Sequence, residues 1–123
     1  MTNGKRSRHA VLIVEDDQLL SLLTVDFVKA AGFVALHAEN ADEAVAILEA
    51  RSDIALLLTD INMPGSMDGL KLAHAVRDRW PPIKIIVVSS QAPKGALPKH
   101  SRFFVKPYHC EKMISEIHSL IGT

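Results

Sequence analysis

Three groups of charged residues each follow a short apolar run, and their types suit chemistry on a phosphoryl group. They are the acidic cluster Glu15–Asp17, the single carboxylate of Asp60 and the single ammonium group of Lys106. If each apolar run is a buried strand of an open α/β sheet, the three groups converge at the carboxyl ends of the strands. Carboxylates there can hold a divalent metal ion, and a lysine can neutralise phosphoryl oxygens. The spacing therefore predicts one crevice for a metal ion and a phosphoryl group.

The elements that must position these groups are predicted by apolar runs that alternate with helical periodicity, a pattern typical of βαβ units and a parallel sheet. The runs predict strands over Val11–Val14, Phe33–Ala38, Ile54–Leu58, Ile83–Val88 and Phe103–Val105. A first helix is predicted to present the stripe Leu19, Leu20, Leu23 and Phe27 and to end at Gly32. Three further stripes predict helices that present Ala44, Val45 and Leu48, then Leu70, Ala73, Val76 and Trp80, and finally Met113, Ile114, Ile117, Leu120 and Ile121.

The connections between these elements carry two further signals. Asp17 and Asn40 each precede a helical stripe, so both are predicted to cap a helix N-terminus. The sixteen residues between Ser89 and Lys106 include two prolines and show no helical stripe. Because proline breaks a helix interior, we expect at most a single helical turn in this interval.

Composition indicates one globular domain. The chain has 123 residues, of which 48% are hydrophobic and 23% charged, the usual balance for a globular protein. Basic and acidic residues number 14 each, so no net field favours nucleic acid or a membrane. The single cysteine excludes an internal disulfide and fits the reducing cytoplasm. We expect a flexible tail over residues 1–8, a domain over residues 9–122 and no attached output domain.

Four short motifs occur in a fixed order along the chain, and together they are far more specific than any of their residues alone. They are the acid pair Glu15-Asp16, D-x-x-M-P-G-x-M-D-G from Asp60, Val-Ser ending at Ser89, and F-V-K-P-Y around Lys106. With these motifs the chain resembles the receiver domain of two-component response regulators, over residues 10 to about 121. The resemblance implies a five-stranded parallel sheet in the order 2-1-3-4-5, with helices on both faces. The chain departs from the family in its short interval after Ser89, so we expect the family's fourth helix to be short or absent.

The resemblance also implies a role for each acid of the crevice. Asp60 would be the phosphoryl acceptor, and Asp16 would be the main carboxylate of a Mg²⁺ or Mn²⁺ site. Glu15 would act on the metal mainly through water, and the backbone carbonyl of Asn62 would complete the protein ligands.

Other matching positions would support or report the phosphorylation. Lys106 would pair with a phosphoryl oxygen, and the hydroxyl of Ser89 would bond another and signal the state of the site. Phe103 matches the family's aromatic switch position, and Pro107 its cis peptide. The two positions that tune hydrolysis of the phosphoryl group in the family are the amides Asn62 and Gln91.

The predicted function is a phosphorylation-controlled switch, not an enzyme with an external substrate. A histidine kinase or a histidine phosphotransfer protein would donate the phosphoryl group, and an unidentified protein would read the result. Two alternatives stay open: a receiver fold used as an unphosphorylated interaction module, and a Mg²⁺-dependent phosphohydrolase. The latter would need an acid two residues after the nucleophile, where Asn62 stands. The six histidines show no metal-ligand spacing and are predicted to be surface or hydrogen-bonded positions.

Overall fold

A five-stranded parallel sheet forms the centre of the domain in the computed structural model, which describes residues 9–63, 65 and 67–122. The predicted tail over residues 1–8, two positions of the predicted loop after Asp60 (Pro64 and Ser66), and Thr123 lie outside the described residues. The strands are β1 Ala10–Val14, β2 Val34–Ala38, β3 Ile54–Asp60, β4 Lys84–Ser89 and β5 Arg102–Val105. Their order is β2-β1-β3-β4-β5 and every pairing is parallel, which confirms the predicted fold class.

Helices cover both faces of the sheet. They are α1 Gln18–Ala30, α2 Ala41–Ala50, α3 Gly69–Arg79 and α4 Cys110–Ile121. One buried cluster joins one face of the sheet to α2 and α3, and a second joins the opposite face to Val28 of α1 and Met113 and Ile117 of α4. Along β1, alternate residues belong to alternate clusters, as the two-residue period of a strand requires. Within the described residues, no helix is both long and apolar enough to cross a membrane.

Side chains cap the first three helices. The carboxylate of Asp17 accepts a hydrogen bond from the Leu20 N–H at 3.0 Å, and the Asn40 side chain accepts one from the Glu43 N–H at 2.9 Å. Both caps were predicted. Asp68, in the motif that follows the acceptor, caps α3 in the same way. Each cap satisfies a backbone donor that the helix itself leaves without a partner.

The face that α1 turns to the sheet is not the one that carries most of its leucines. Leu19 is 66% exposed and Leu23 is 55% exposed, whereas Ser21, Thr24 and Val28 are buried. Two hydroxyls can face the sheet because each is already bonded within the helix, Ser21 to the Gln18 carbonyl and Thr24 to the Leu20 carbonyl. The recurring leucines confirm a helix at this position, but Leu19 and Leu23 mark its exposed face rather than the face that packs on the sheet.

The connection between β4 and β5 contains no helix over residues 90–101, all of which are described. It lies against α3, whose side chains hold its backbone: the His74 imidazole bonds the Ala96 carbonyl at 2.7 Å, and Arg77 donates to the Lys99 carbonyl at 3.0 Å. Pro98, within this connection, is buried. The predicted absence of the fourth helix is confirmed, and α3 satisfies backbone groups that a helix would have satisfied itself.

Candidate functional site

Three carboxylates meet at the carboxyl ends of β1 and β3. Glu15 and Asp60 are each 7% exposed, while Asp16 faces solvent. One oxygen from each of the three side chains lies within 4.8 Å of the others. The structure thus brings together the acids that the sequence predicted to share a crevice.

Asp60 is held by the backbone on both sides of it. It is the last residue of β3, and the strand pairing continues past it because the Ile61 N–H donates to the Val88 carbonyl at 3.0 Å. The Asn62 N–H donates to Asp60 Oδ1 at 3.2 Å, which restrains the carboxylate from the side of the following loop. Asn62 itself is exposed.

The first residue of α3 packs directly on this strand end. The Gly69 N–H donates to the Ile61 carbonyl at 2.8 Å. A Cβ atom at position 69 would lie 1.7 Å from the Asp60 carbonyl oxygen, so no side chain other than that of glycine fits. Asp68, one residue earlier, supplies the cap that starts α3 at this contact. The Asp-Gly pair of the motif therefore places a helix start against the acceptor strand.

Lys106 links two of the acids. Its ammonium nitrogen lies 2.8 Å from Asp60 Oδ2 and 3.3 Å from Glu15 Oε1. Its own N–H donates to the Ser89 carbonyl at 2.8 Å, which ties the residue to the end of β4. The Lys106–Pro107 peptide bond is cis, as predicted.

The charges of the crevice are unbalanced, because three carboxylates surround one ammonium group. Burial raises the pKa of Glu15 above its usual value and the charge of Asp60 adds to the rise, although the Asp17 N–H and Lys106 oppose it. Burial also lowers the pKa of Lys106, but its hydrogen bond and charge attraction to Asp60, followed by those to Glu15, more than offset this and raise it. A cation bound among the acids would relieve the remaining negative charge.

The donors present fit a hard divalent cation. Carboxylate oxygens that converge from two strand ends, one of them open to solvent, are the ligands that Mg²⁺ and Mn²⁺ favour, and Mg²⁺ keeps several of its waters in such sites. Among the described residues, the group that could hold a metal ion contains no histidine or cysteine. The crevice is therefore suited to Mg²⁺ or Mn²⁺ rather than to a softer metal.

The predicted switch and hydrolysis residues lie on β4, on β5 and in the loops that follow β3 and β4. Ser89 is the buried last residue of β4, next to the strand that carries Asp60, and its hydroxyl accepts a bond from the Gln91 N–H at 3.3 Å. Gln91 is exposed. Phe103 lies in β5, half-buried against the cluster that contains α2 and α3. Ser89 and Phe103 thus lie on β4 and β5, the two strands joined by the connection that contains no helix.

Sequence reasoning missed two features at the edge of the site. The imidazole of His37 bonds the backbone carbonyl of Glu15 at 2.8 Å. An apolar groove of about 680 Å³ extends from Glu15 and Lys106 along α1. Its apolar walls are Leu20, Leu23, Phe27, Pro107 and Tyr108. The dense leucines of α1 were a signal for this groove, but they were used only to predict a helix.

Comparisons with known proteins agree with this geometry. A family model described as the response regulator receiver domain matches residues 11–118. The chemotaxis protein CheY1 of Helicobacter pylori strain J99 is 28% identical, with 92% of this chain and 97% of that protein covered. The response regulator protein FleR of Pseudomonas aeruginosa is 28% identical over 85% of this chain, and the match spans only 23% of FleR. The chain thus spans under a quarter of the first curated relatives that it matches.

Solved structures show the same fold. A response regulator receiver protein from Pseudomonas putida superposes with a TM-score of 0.80 at 26% identity, covering 92% of this chain and 98% of that one. A response regulator receiver protein from Sinorhizobium medicae reaches a TM-score of 0.85 at 22% identity, covering 95% and 97%. Since the family model covers most of the chain and the strand order agrees, this protein belongs to the response regulator receiver domain family.

Proposed function

We propose that this protein is a phosphoacceptor switch of a two-component or phosphorelay system. Asp60 accepts a phosphoryl group from a histidine kinase or a histidine phosphotransfer protein, with Mg²⁺ or Mn²⁺ bound by Asp16, Asp60, the Asn62 carbonyl and, through water, Glu15. The observation that carries the proposal is the placement of Lys106 Nζ 2.8 Å from Asp60 Oδ2, inside a cluster of three carboxylates. The single cysteine of the chain and its ordinary globular composition are consistent with a protein that acts in the cytoplasm.

The chain's own residues supply the acceptor and the charge balance. A carboxylate oxygen of Asp60 attacks phosphorus, an O–P bond forms as the P–N bond breaks, and the departing imidazole takes up a proton. Lys106, which already bonds Asp60 Oδ2, then pairs with a phosphoryl oxygen. A bound Mg²⁺ would neutralise the transferring phosphoryl oxygens, which is most of the help that such a transfer needs.

Release of the phosphoryl group and its readout use the neighbouring residues. Ser89 donates its hydroxyl to a phosphoryl oxygen and gives up its contact with the Gln91 N–H, which lies 3.3 Å away. The side chain of Phe103, at the family's aromatic switch position in β5, changes its conformation when the site is phosphorylated. Asn62 and Gln91 are exposed amides that can orient an attacking water, so we propose a short-lived acyl phosphate.

The exposed leucines of α1 suit the phosphodonor partner. Leu19, Leu22 and Leu23 are each more than half exposed, and the groove beside them reaches Glu15 and Lys106. A donor histidine must approach Asp60 along a surface of this kind, and an apolar patch next to a charged crevice is typical of a protein interface. We therefore place the kinase or phosphotransfer protein on α1. Asn62 cannot act as a general acid, so no external phosphoryl substrate is proposed.

Intact-mass analysis after treatment with acetyl phosphate tests the acceptor. With Mg²⁺ we expect one added phosphoryl group on the parent chain, and none on Asp60→Asn or in the presence of a chelator. Asp53→Asn is the matched control, because Asp53 is an ion-paired acid at the opposite end of the sheet. Modification of Asp60→Asn to the extent of the parent would contradict the assignment.

A further inference from the structure

His37 is the only described histidine that contacts an acid-bearing residue of the crevice. It lies in β2, at the edge of the sheet, opposite Ile13 of β1. Its Nε2 lies 2.8 Å from the carbonyl oxygen of Glu15. A carbonyl oxygen only accepts hydrogen bonds, so Nε2 carries the proton and the imidazole is the donor.

This bond extends the pairing of β1 and β2 past the end of β1. The Glu15 N–H donates to the Ala38 carbonyl at 3.1 Å, and the Glu15 carbonyl is bonded by His37. Both backbone groups of Glu15 are therefore held by β2. The peptide plane that joins Glu15 to Asp16 cannot rotate without breaking the bond to His37.

The orientation of that peptide plane matters for Asp16. Glu15 has side-chain partners of its own, since its carboxylate accepts from the Asp17 N–H at 3.0 Å and from Lys106 at 3.3 Å. Among the described residues, none hydrogen-bonds the Asp16 carboxylate, which faces solvent. The direction of the Asp16 side chain toward the crevice is thus set by its backbone. Two side chains hold that backbone: His37 holds the peptide before Asp16, and Glu15, through the Asp17 N–H, holds the peptide after it.

We infer that His37 is a positioning residue for the metal site: it orients Asp16 for the cation through the Glu15 carbonyl. The inference rests on the proposed function, because it assumes that the three acids bind Mg²⁺. It concerns affinity for the cation and not the chemistry at Asp60. Substituting a residue that orients a metal ligand without touching the metal typically weakens metal affinity by a factor of ten or more.

Calorimetric titration of the purified chain with Mg²⁺ tests the inference without any phosphorylation. His37→Met removes the donor, and His37→Gln keeps a donor on a side chain of the same length. We expect His37→Met to raise the Mg²⁺ dissociation constant about 10-fold and His37→Gln to stay within about twofold of the parent. His37→Val, whose side chain carries no hydrogen-bond donor and suits a strand, serves as a second donor-free variant.

His74 offers a matched control. His74 lies on α3, and its Nε2 also bonds a backbone carbonyl at 2.7 Å, but this carbonyl belongs to Ala96 and not to an acid of the crevice. We expect His74→Met to leave Mg²⁺ affinity unchanged, and thermal unfolding in chelator checks that each variant is folded. In phosphorylation assays, His37→Met should need about 10-fold more Mg²⁺ for half-maximal rate, with the rate at saturating Mg²⁺ unchanged.

Three results would overturn the inference. They are parent-like affinity in both donor-free variants, equal losses in His74→Met and His37→Met, or a low rate of His37→Met that excess Mg²⁺ does not restore. A parent chain that binds no Mg²⁺ would instead contradict the proposed function itself, so the two failures are distinguishable.

Discussion

The two ends of the sheet carry ion pairs of nearly equal length in very different surroundings. At the carboxyl end, Lys106 and Asp60 approach to 2.8 Å, and the Asp60 side chain is 9% exposed. At the amino end, Arg51 and Asp53 approach to 2.7 Å with two hydrogen bonds, but both side chains are about 40% exposed. Distance alone would rank the amino-end pair first.

A second ion pair at the amino end is even more open to solvent. Arg79 pairs with Glu49 at 2.8 Å and lies 4.3 Å above the ring of Trp80, with half of the Arg79 side chain exposed. Solvent and salt screen such pairs, and exposed ion pairs add little to stability. Burial, rather than contact distance, therefore decides which ion pairs of this molecule constrain its chemistry.

The pKa values of the acids at the two ends of the sheet are shifted in opposite directions. Burial raises the pKa of Glu15, whereas the hydrogen bond from Arg51 lowers the pKa of Asp53. The fold thus disfavours the charge of an acid in the crevice and favours the charge of an acid at the opposite end. Acids that repel one another when charged are stabilised by a bound cation. The following experiments test whether the acids at the two ends of the sheet differ in this way.

The largest expected effect is on phosphorylation. Lys106→Met removes the cation that bonds Asp60, and we expect phosphorylation by acetyl phosphate to slow by at least about 100-fold. Arg51→Met removes the cation of the shorter, exposed pair and should leave the rate unchanged. The measurement is the rate of mass gain with saturating Mg²⁺. Equal rates in the two variants would remove the distinction between the two ends of the sheet.

The next effect is stabilisation by the cation. Mg²⁺ at 100 times its dissociation constant should stabilise the parent by about 2.7 kcal/mol, which corresponds to roughly 10 °C in melting temperature for a domain of this size. Asp16→Asn should lose most of this gain, whereas Asp53→Asn should keep it. Thermal unfolding in chelator and in excess Mg²⁺ measures both. An undiminished gain in Asp16→Asn would exclude Asp16 as a ligand.

A smaller effect concerns the metal-free crevice. Since the pKa of Glu15 is raised, its protonated form favours folding, and that stability is lost as the pH rises through the folded pKa. Glu15→Gln mimics the protonated acid, so in chelator at pH 7 we expect it to melt roughly 2–4 °C above the parent. The advantage should shrink as the pH falls toward 4.5, the ordinary pKa of a glutamate.

Asp60→Asn removes a charge from the same cluster and should also melt above the parent in chelator. Its gain should be smaller than that of Glu15→Gln, because it gives up the charged partner that lies 2.8 Å from Lys106. A melting temperature below that of the parent for both variants would show that repulsion does not dominate the empty crevice.

The smallest effect is expected at the amino end. Asp53→Asn should not measurably change the melting temperature at pH 7, since solvent screens its pair with Arg51. Because the pKa of Asp53 is lowered, its contribution to folding stability is present above pH 3.8, the ordinary pKa of an aspartate. This contribution is lost as the pH falls through the folded pKa. The pH dependence of its stability therefore has the opposite sign to that of Glu15. A destabilisation as large as the loss of Mg²⁺ binding would overturn the ranking by burial.

The strands were predictable because they depend on local signals, whereas the strand order that makes the acids neighbours came from the resemblance to receiver domains. An apolar run followed by a charge marks a strand end, and parallel strands bring their carboxyl ends to one edge. Strand bounds shifted by one or two residues where pairing continued beyond the apolar run. The strand β3 reaches Asp60 itself because Asp60 pairs with Val88 of β4.

The orientation of α1 and the contact of His37 were not predictable in the same way. Ser21, Thr24 and Val28 recur with the same helical spacing as the leucines, so periodicity could not show which stripe faces the sheet. Only the bonds from the two hydroxyls to the helix's own carbonyls make the polar stripe fit to be buried. The His37 bond joins residues 22 positions apart across a strand edge, and a single sequence carries no signal for such a contact.

Gly69 gives the site a dependence on a residue that takes no part in its chemistry. A methyl group at position 69 would overlap the Asp60 carbonyl, so any larger residue would force α3 and β3 apart. That movement would displace the acceptor Asp60. In a survey of all substitutions, Gly69 should therefore tolerate change as poorly as Asp60, for a different reason. Substitutions at Asp60 are expected to give protein that is abundant but cannot be phosphorylated. Substitutions at Gly69 are expected to lower the amount of folded protein. Activity maps that ignore protein abundance would count this glycine as a reacting residue.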